Sequence, residues 1–151
     1  MIGRWLIIAT VVLVALGATA LLYGLATSGS ASPGPVISLE RLEEEKVLYL
    51  EDHDVFLVFN DGDPLALSDD AQHLGDRVEF CGSSQMFESP AHGEKFDIHG
   101  SYYGGPGTSG LDRYPVRVQD DGVYVDLGEL IPGRARGAPV RDPAGPLCVP
   151  G

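Results

Sequence analysis

His73 and His92 are the residues in this chain best suited to chemistry. They sit in two short loops, Ala71-Gln72-His73-Leu74-Gly75 and Ser89-Pro90-Ala91-His92-Gly93. Imidazole is the commonest protein ligand for borderline metal ions, and two rings on facing loops begin a metal site that Ser89 or a nearby carboxylate would complete. The competing reading has both rings hydrogen-bonded to loop backbone. Asp69, Asp70, Asp76 and Glu79 crowd the first loop, where turn capping and solubility explain them more cheaply than acid–base catalysis. His53 and His99 stand in turn-like contexts and read as surface residues. Cys81 and Cys148 are the two cysteines. In an exported domain they form a disulfide if their Cα atoms come within ~7 Å, and otherwise remain two thiols. The sequence contains no Ser/His/Asp triad spacing, phosphate loop or zinc box, so no enzyme activity is expected.

The segments flanking these loops must position them. Residues 46–51 and 55–60 are short, rich in β-branched and aromatic side chains, and separated by Asp52-His53-Asp54, which predicts a hairpin. Asn60-Asp61-Gly62-Asp63 is a strong turn, and residues 65–68 give a third strand. Residues 114–119 and 123–127 flank Asp120-Asp121-Gly122 and form a second hairpin. The stretch between, residues 69–110, is rich in Gly, Ser, Pro and His and reads as loops, long enough that a site should order it. The fold class is all-β, a small antiparallel domain with its loops at one end.

The N-terminal segment is of a different kind. Residues 5–26 are uncharged and almost wholly apolar. At ~1.5 Å per residue they span ~33 Å as a helix, enough to cross a ~30 Å hydrocarbon core. Arg4 precedes the segment and an acidic run begins at Glu40, which puts residues 1–4 in the cytoplasm and the rest outside. A signal peptide cleaved near Ser30-Ala31-Ser32 is the competing reading; the length of the apolar run favours a retained anchor. Residues 27–45 form a tether that ends in a charged run, either one helical turn or an approach to the first strand. Residues 46–130 form the domain, and 131–151 a Pro- and Gly-rich tail that is irregular or disordered. The formal net charge of −12, with no basic stripe, excludes nucleic acid as a partner.

The order of short motifs resembles a Rieske domain of the quinol-oxidising respiratory type. That family carries a Cys-x-His-Leu-Gly box and a Cys-Pro-x-His-Gly box, followed by Phe-Asp, a Gly-Pro loop and a closing hairpin. Here His73-Leu74-Gly75, Pro90-Ala91-His92-Gly93, Phe96-Asp97, Gly105-Pro106 and residues 114–127 follow in that order. Both histidine positions match. At the two cysteine positions stand Ala71, with no donor atom, and Ser89, whose hydroxyl is far harder to ionise than a thiol. The two positions at which such members carry a loop-joining disulfide hold Asp76 and Ala91.

The resemblance implies a loop-rich cluster-binding subdomain, an electron-transfer role and a [2Fe–2S] cofactor. The substitutions at positions 71 and 89 lead to the expectation of no cofactor, with His73 and His92 as vestigial ligand positions. The function expected is that of a membrane-anchored accessory or binding module of a membrane redox complex, partnered by the membrane and by subunits of that complex. A working [2Fe–2S] electron carrier and a mononuclear metal protein using His73 and His92 are the alternatives. Tyr102-Tyr103, beside the Gly-Pro loop, forms either an exposed recognition edge or a lid of rings over the ligand pocket.

Overall fold

The computed structural model describes residues 36–150. The apolar segment 5–26 lies outside them, and among the described residues no helix is long and apolar enough to cross a membrane. In chain order the elements begin with β1 (Ile37–Ser38), α1 (Leu39–Glu45), β2 (Val47–Leu50), β3 (Val55–Asn60) and β4 (Asp63–Ser68). β5 (Glu79–Cys81), β6 (Met86–Glu88), β7 (Lys95–Phe96) and β8 (Tyr102–Gly104) follow, then β9 (Arg113–Tyr114), β10 (Val116–Gln119) and β11 (Gly122–Val125). They make three antiparallel sheets, ordered β1-β11-β10, β2-β3-β4-β9 and β5-β6-β7-β8.

β3 organises the interior. Side chains alternate across a strand, yet Val55, Phe56, Leu57 and Val58 are all buried. Val55 and Leu57 join Leu42, Ala66, Val123 and Val125 in one core, while Phe56 and Val58 join Leu67, Phe87, Phe96 and Leu111 in another. A strand covered on both faces reads as a continuous apolar run, as this one does. The first core seats the β1-β11-β10 sheet and α1. The second carries the β5–β8 sheet, from which the two histidine loops project.

The charged run before the first strand is a helix of seven residues. Ser38 caps it by accepting from the Arg41 N–H at 3.4 Å, and Leu42 is its buried residue. The folded unit therefore takes in residues ahead of Lys46. The larger departure from expectation is the middle of the chain. Residues 79–104 supply a complete four-stranded sheet where loops were expected. Its strands are two or three residues long. That is too short to display an alternation of period two, so nothing local distinguishes them from turns.

The tail has no helix or long strand but is held along its length. Arg113 and Ile131 exchange backbone hydrogen bonds of 2.8 and 2.9 Å. Arg141 N–H donates to Asp97 Oδ2 at 2.9 Å, and Ala144 N–H to the Ser84 carbonyl at 2.8 Å. Cys148 is joined to Cys81 on β5 as a disulfide, with Cα atoms 5.9 Å apart. Val149 N–H then donates to Glu88 Oε2 at 2.6 Å.

Candidate functional site

Three loops meet at one end of the β5–β8 sheet. The first leaves β4 and folds back on itself: Ala71 N–H donates to the Asp76 carbonyl at 2.7 Å and Val78 N–H to the Asp69 carbonyl at 2.8 Å. Leu74 (φ 64°) and Gly75 (φ 69°) turn its tip in the left-handed region, which presents Leu74 to solvent at 77 % exposure. Asp69 anchors its root. That side chain is buried, and its Oδ2 accepts from the Tyr49 hydroxyl at 2.7 Å and faces Arg77 Nε at 3.7 Å. Burial pushes the Asp69 carboxyl above the ordinary carboxylate range, against the pull of Tyr49 and Arg77. The same contact holds the Tyr49 phenol well above its usual value.

The second loop joins β6 to β7. Gly93 N–H returns to the Ser89 carbonyl at 2.9 Å, Ser89 N–H bonds the Glu94 carbonyl at 2.8 Å, and the Ser89 hydroxyl accepts from His92 N–H at 3.3 Å. The third loop follows β8. The Tyr102 hydroxyl donates to the Gly105 carbonyl, and the Tyr102 ring packs edge-on to Phe96 at 6.3 Å. Tyr102 is thus buried, whereas Tyr103 is exposed. Tyr103 lines an open groove of about 730 Å³ together with His92 and with Leu147 and Val149 of the disulfide-held tail.

These loops bring His73 and His92 together, with ring centroids 5.3 Å apart and planes at 80°. His92 Nδ1 is hydrogen-bonded to Asp76 Oδ2, a contact that links the first loop to the second. At the two positions where resemblance called for thiolates, Ala71 is 2 % exposed and packs in the core with Val78, Phe87 and Phe96. Ser89 is fully buried, its oxygen turned to loop backbone. His53 is exposed; His99 is half-buried, its Nε2 3.1 Å from Asn60 Nδ2. Cys81, Glu88 and Cys148 form the one close group of three metal-type donors among the described residues. Its sulfurs are bonded to each other, and the Glu88 oxygens take Ser84 Oγ and Val149 N–H.

Glu94 is a residue that the reading of the sequence did not single out. It follows His92-Gly93 directly, is fully buried, and neither carboxylate oxygen has a hydrogen-bond partner. Burial pushes its carboxyl above the ordinary range. The third loop makes room for it. A Cβ at Gly107 would overlap Glu94 Oε1, and one at Gly105 would stand 2.6 Å from Glu94 Cα. The available signal was chemical: a carboxylate directly after the second His-Gly, in a box otherwise free of charge.

The sequence model of the Rieske [2Fe–2S] domain family matches residues 32–115. The chain belongs to the Rieske domain family. Cytochrome b6-f complex iron-sulfur subunit 2 of Nostoc sp. is 32 % identical over 63 residues, covering 42 % of this chain and 35 % of that protein. The cytochrome b6-f complex iron-sulfur subunit of Chlorobaculum tepidum is 29 % identical over 82 residues, 54 % of this chain and 45 % of that one. The chain thus spans less than half the length of these curated relatives. Among solved structures, the cyanobacterial plasma membrane Rieske protein from Synechocystis superposes with a TM-score of 0.52 at 22 % identity. The match covers 62 % of this chain and 99 % of that one, and it establishes a shared fold.

Family membership corrects one expectation. The absence of any cofactor does not stand, because the matched family is the [2Fe–2S] domain and the relatives are iron–sulfur subunits. The cofactor class belonging to this fold is [2Fe–2S]. A Rieske cluster takes two cysteines on one iron and two histidines on the other. Toward that set this site offers His73 and His92 and, at the thiolate positions, a core methyl and a buried hydroxyl bonded to backbone. The residues present do not complete the shell.

Proposed function

We propose that this Rieske domain is the exported part of a membrane-anchored subunit or accessory module of a membrane redox complex. Residues 5–26 serve as its single anchor, and the N-terminus is cytoplasmic. The observation that carries this reading is the loop assembly. Two ligand loops and the Gly-Pro loop adjoin the β5–β8 sheet; Asp76 and His92 tie the first two loops together, and the exposed Leu74 ends the first. Such an end is a rigid, shaped surface for another subunit. The b6-f subunits to which the chain is similar support a partner of that class. The described residues offer binding and positioning, and no catalytic constellation.

A second reading, a working electron carrier, is favoured by family membership alone. One preparation tests both. The native protein is solubilised in mild detergent, affinity-purified, and assayed for co-purifying cytochrome subunits, iron and acid-labile sulfide. The proposal expects retention in the membrane through high-salt and alkaline washes, and recovery with cytochrome subunits. Release by the alkaline wash, with a mature N-terminus near Ser32, would overturn the anchor. Recovery of the chain alone at every detergent strength would overturn the complex. Two irons and two sulfides per chain would establish the carrier.

A further inference from the structure

The last described residues of the tail are held by a covalent bond more than by packing. Pro146, Leu147, Cys148 and Pro150 are exposed, and Gly145 and Val149 are half-buried. Neither hydrophobic core contains a residue beyond Val125. Besides the disulfide, Val149 N–H seats the segment on Glu88 Oε2 at 2.6 Å, and the Ser83 hydroxyl donates to the Pro146 carbonyl at 2.7 Å. Such hydrogen bonds, in exchange with water, contribute little against the entropy of ordering the segment. The two sulfurs are also unequal: Cys81 on β5 is 3 % exposed, whereas Cys148 faces solvent. The segment shapes the surface as well, since Leu147, Val149 and Pro150 line the groove shared with His92 and Tyr103.

We propose that the Cys81–Cys148 disulfide is a redox-controlled clasp, which a dithiol reductant opens at Cys148 to release residues 145–150 from the β5–β8 sheet while the domain stays folded. A thiolate of the reductant attacks the exposed Cys148 Sγ, and the bond to Cys81 breaks. Cys81 leaves with the electron pair and takes up a proton. The second thiolate of the reductant then attacks its own sulfur in the mixed disulfide, and Cys148 departs and is protonated. The protein disulfide is reduced to two thiols as the dithiol is oxidised to a disulfide. Release withdraws Val149 N–H from Glu88 and takes Leu147, Val149 and Pro150 out of the groove beside His92. The redox state of the pair therefore sets the surface next to the second ligand loop, whichever partner the domain meets.

The test uses the full chain in mild detergent, with dithiothreitol as the dithiol and no denaturant. Hydrogen exchange read by mass spectrometry should show the tail peptide containing Val149 exchanging about tenfold faster, or more, after reduction. Peptides covering β3 and β6 should keep their protection, and reoxidation should restore that of the tail. Cys148→Ser should exchange in the tail as the reduced chain does, with or without dithiothreitol. A brief pulse of glutathione, quenched with N-ethylmaleimide, should leave glutathione on Cys148 and maleimide on Cys81. Unchanged tail protection in the reduced chain overturns the proposal, as does a disulfide that dithiothreitol opens only in denaturant. Loss of protection in β3 together with the tail, or a Cys148→Ser chain that fails to fold, would make the bond a structural staple and equally overturn it. Glutathione found on Cys81 would refute opening at Cys148.

Discussion

Replacing Cys148 with Ser, or reducing the wild-type domain, should cost it about 4 kcal/mol of stability. The disulfide closes a loop between positions 67 apart in sequence. The chain-entropy relation for a loop of that length gives ~4 kcal/mol at 25 °C, removed from the unfolded chain by the cross-link. The native geometry gives the bond a further task. It holds the tail over the β5–β8 sheet, where Val149 N–H reaches Glu88 and Pro146 O accepts from the Ser83 hydroxyl at 2.7 Å. For a domain of roughly 100 residues each kcal/mol moves the melting temperature by about 4 °C, so a fall of roughly 15 °C is expected. The assay is thermal melting by circular dichroism, with and without reductant, alongside thiol alkylation and mass spectrometry. Two alkylatable thiols should appear only after reduction. A melting temperature that moves by less than ~4 °C, in a protein shown to lose its disulfide, would refute the reasoning. It would mean that the tail restrains nothing on which the fold depends.

Gly133→Ala should destabilise the domain by about 1–3 kcal/mol in urea unfolding, because its Cβ would overlap the Gly110 carbonyl and stand 2.8 Å from the Leu111 oxygen. Gly82→Ala, where nothing lies within 4 Å, should change stability by less than ~0.5 kcal/mol and serves as control. Tyr49→Phe removes a hydroxyl donor from the buried Asp69, whose Oδ1 already lacks a partner, and should cost about 1–3 kcal/mol. Asp69 also sets a pH dependence. Its folded pKa is raised above the ordinary 3.8, so above that pH the unfolded chain releases the proton first and the contribution of this group falls as pH rises through the folded value. Melts of wild type and Asp69→Asn in chelator from pH 4 upward should therefore show the variant gaining on wild type; parallel curves would show that Asp69 does not titrate this way.

Much of the frame was legible in the residues. The 47–60 and 116–125 hairpins announce themselves because each has turn chemistry between runs rich in β-branched and aromatic residues, continuous in β3 and alternating in β10. The site loops were legible for a different reason: His73-Leu74-Gly75 and His92-Gly93 are short, ordered motifs whose residue types are dictated by chemistry rather than by packing. The β5–β8 sheet was not legible. Strands of two or three residues carry no period, and their pairing is decided by contacts such as Phe87 with Phe96, across the chain rather than along it.

The amino-acid sequence by itself determined which atoms are available at the ligand positions: two imidazoles, a methyl at position 71 and a hydroxyl at position 89. That is covalent chemistry, independent of folding. Tertiary structure alone decided what those atoms face. It placed the Ala71 methyl in the core, turned Ser89 to backbone, and joined Cys81 to Cys148 across 67 positions. It also buried the Glu94 carboxylate without a hydrogen-bond partner, against Gly107 of the third loop. Whether a glutamate is a solvated surface charge or a buried donor depends on exclusion of water by three loops distant in sequence, and no local pattern carries that information.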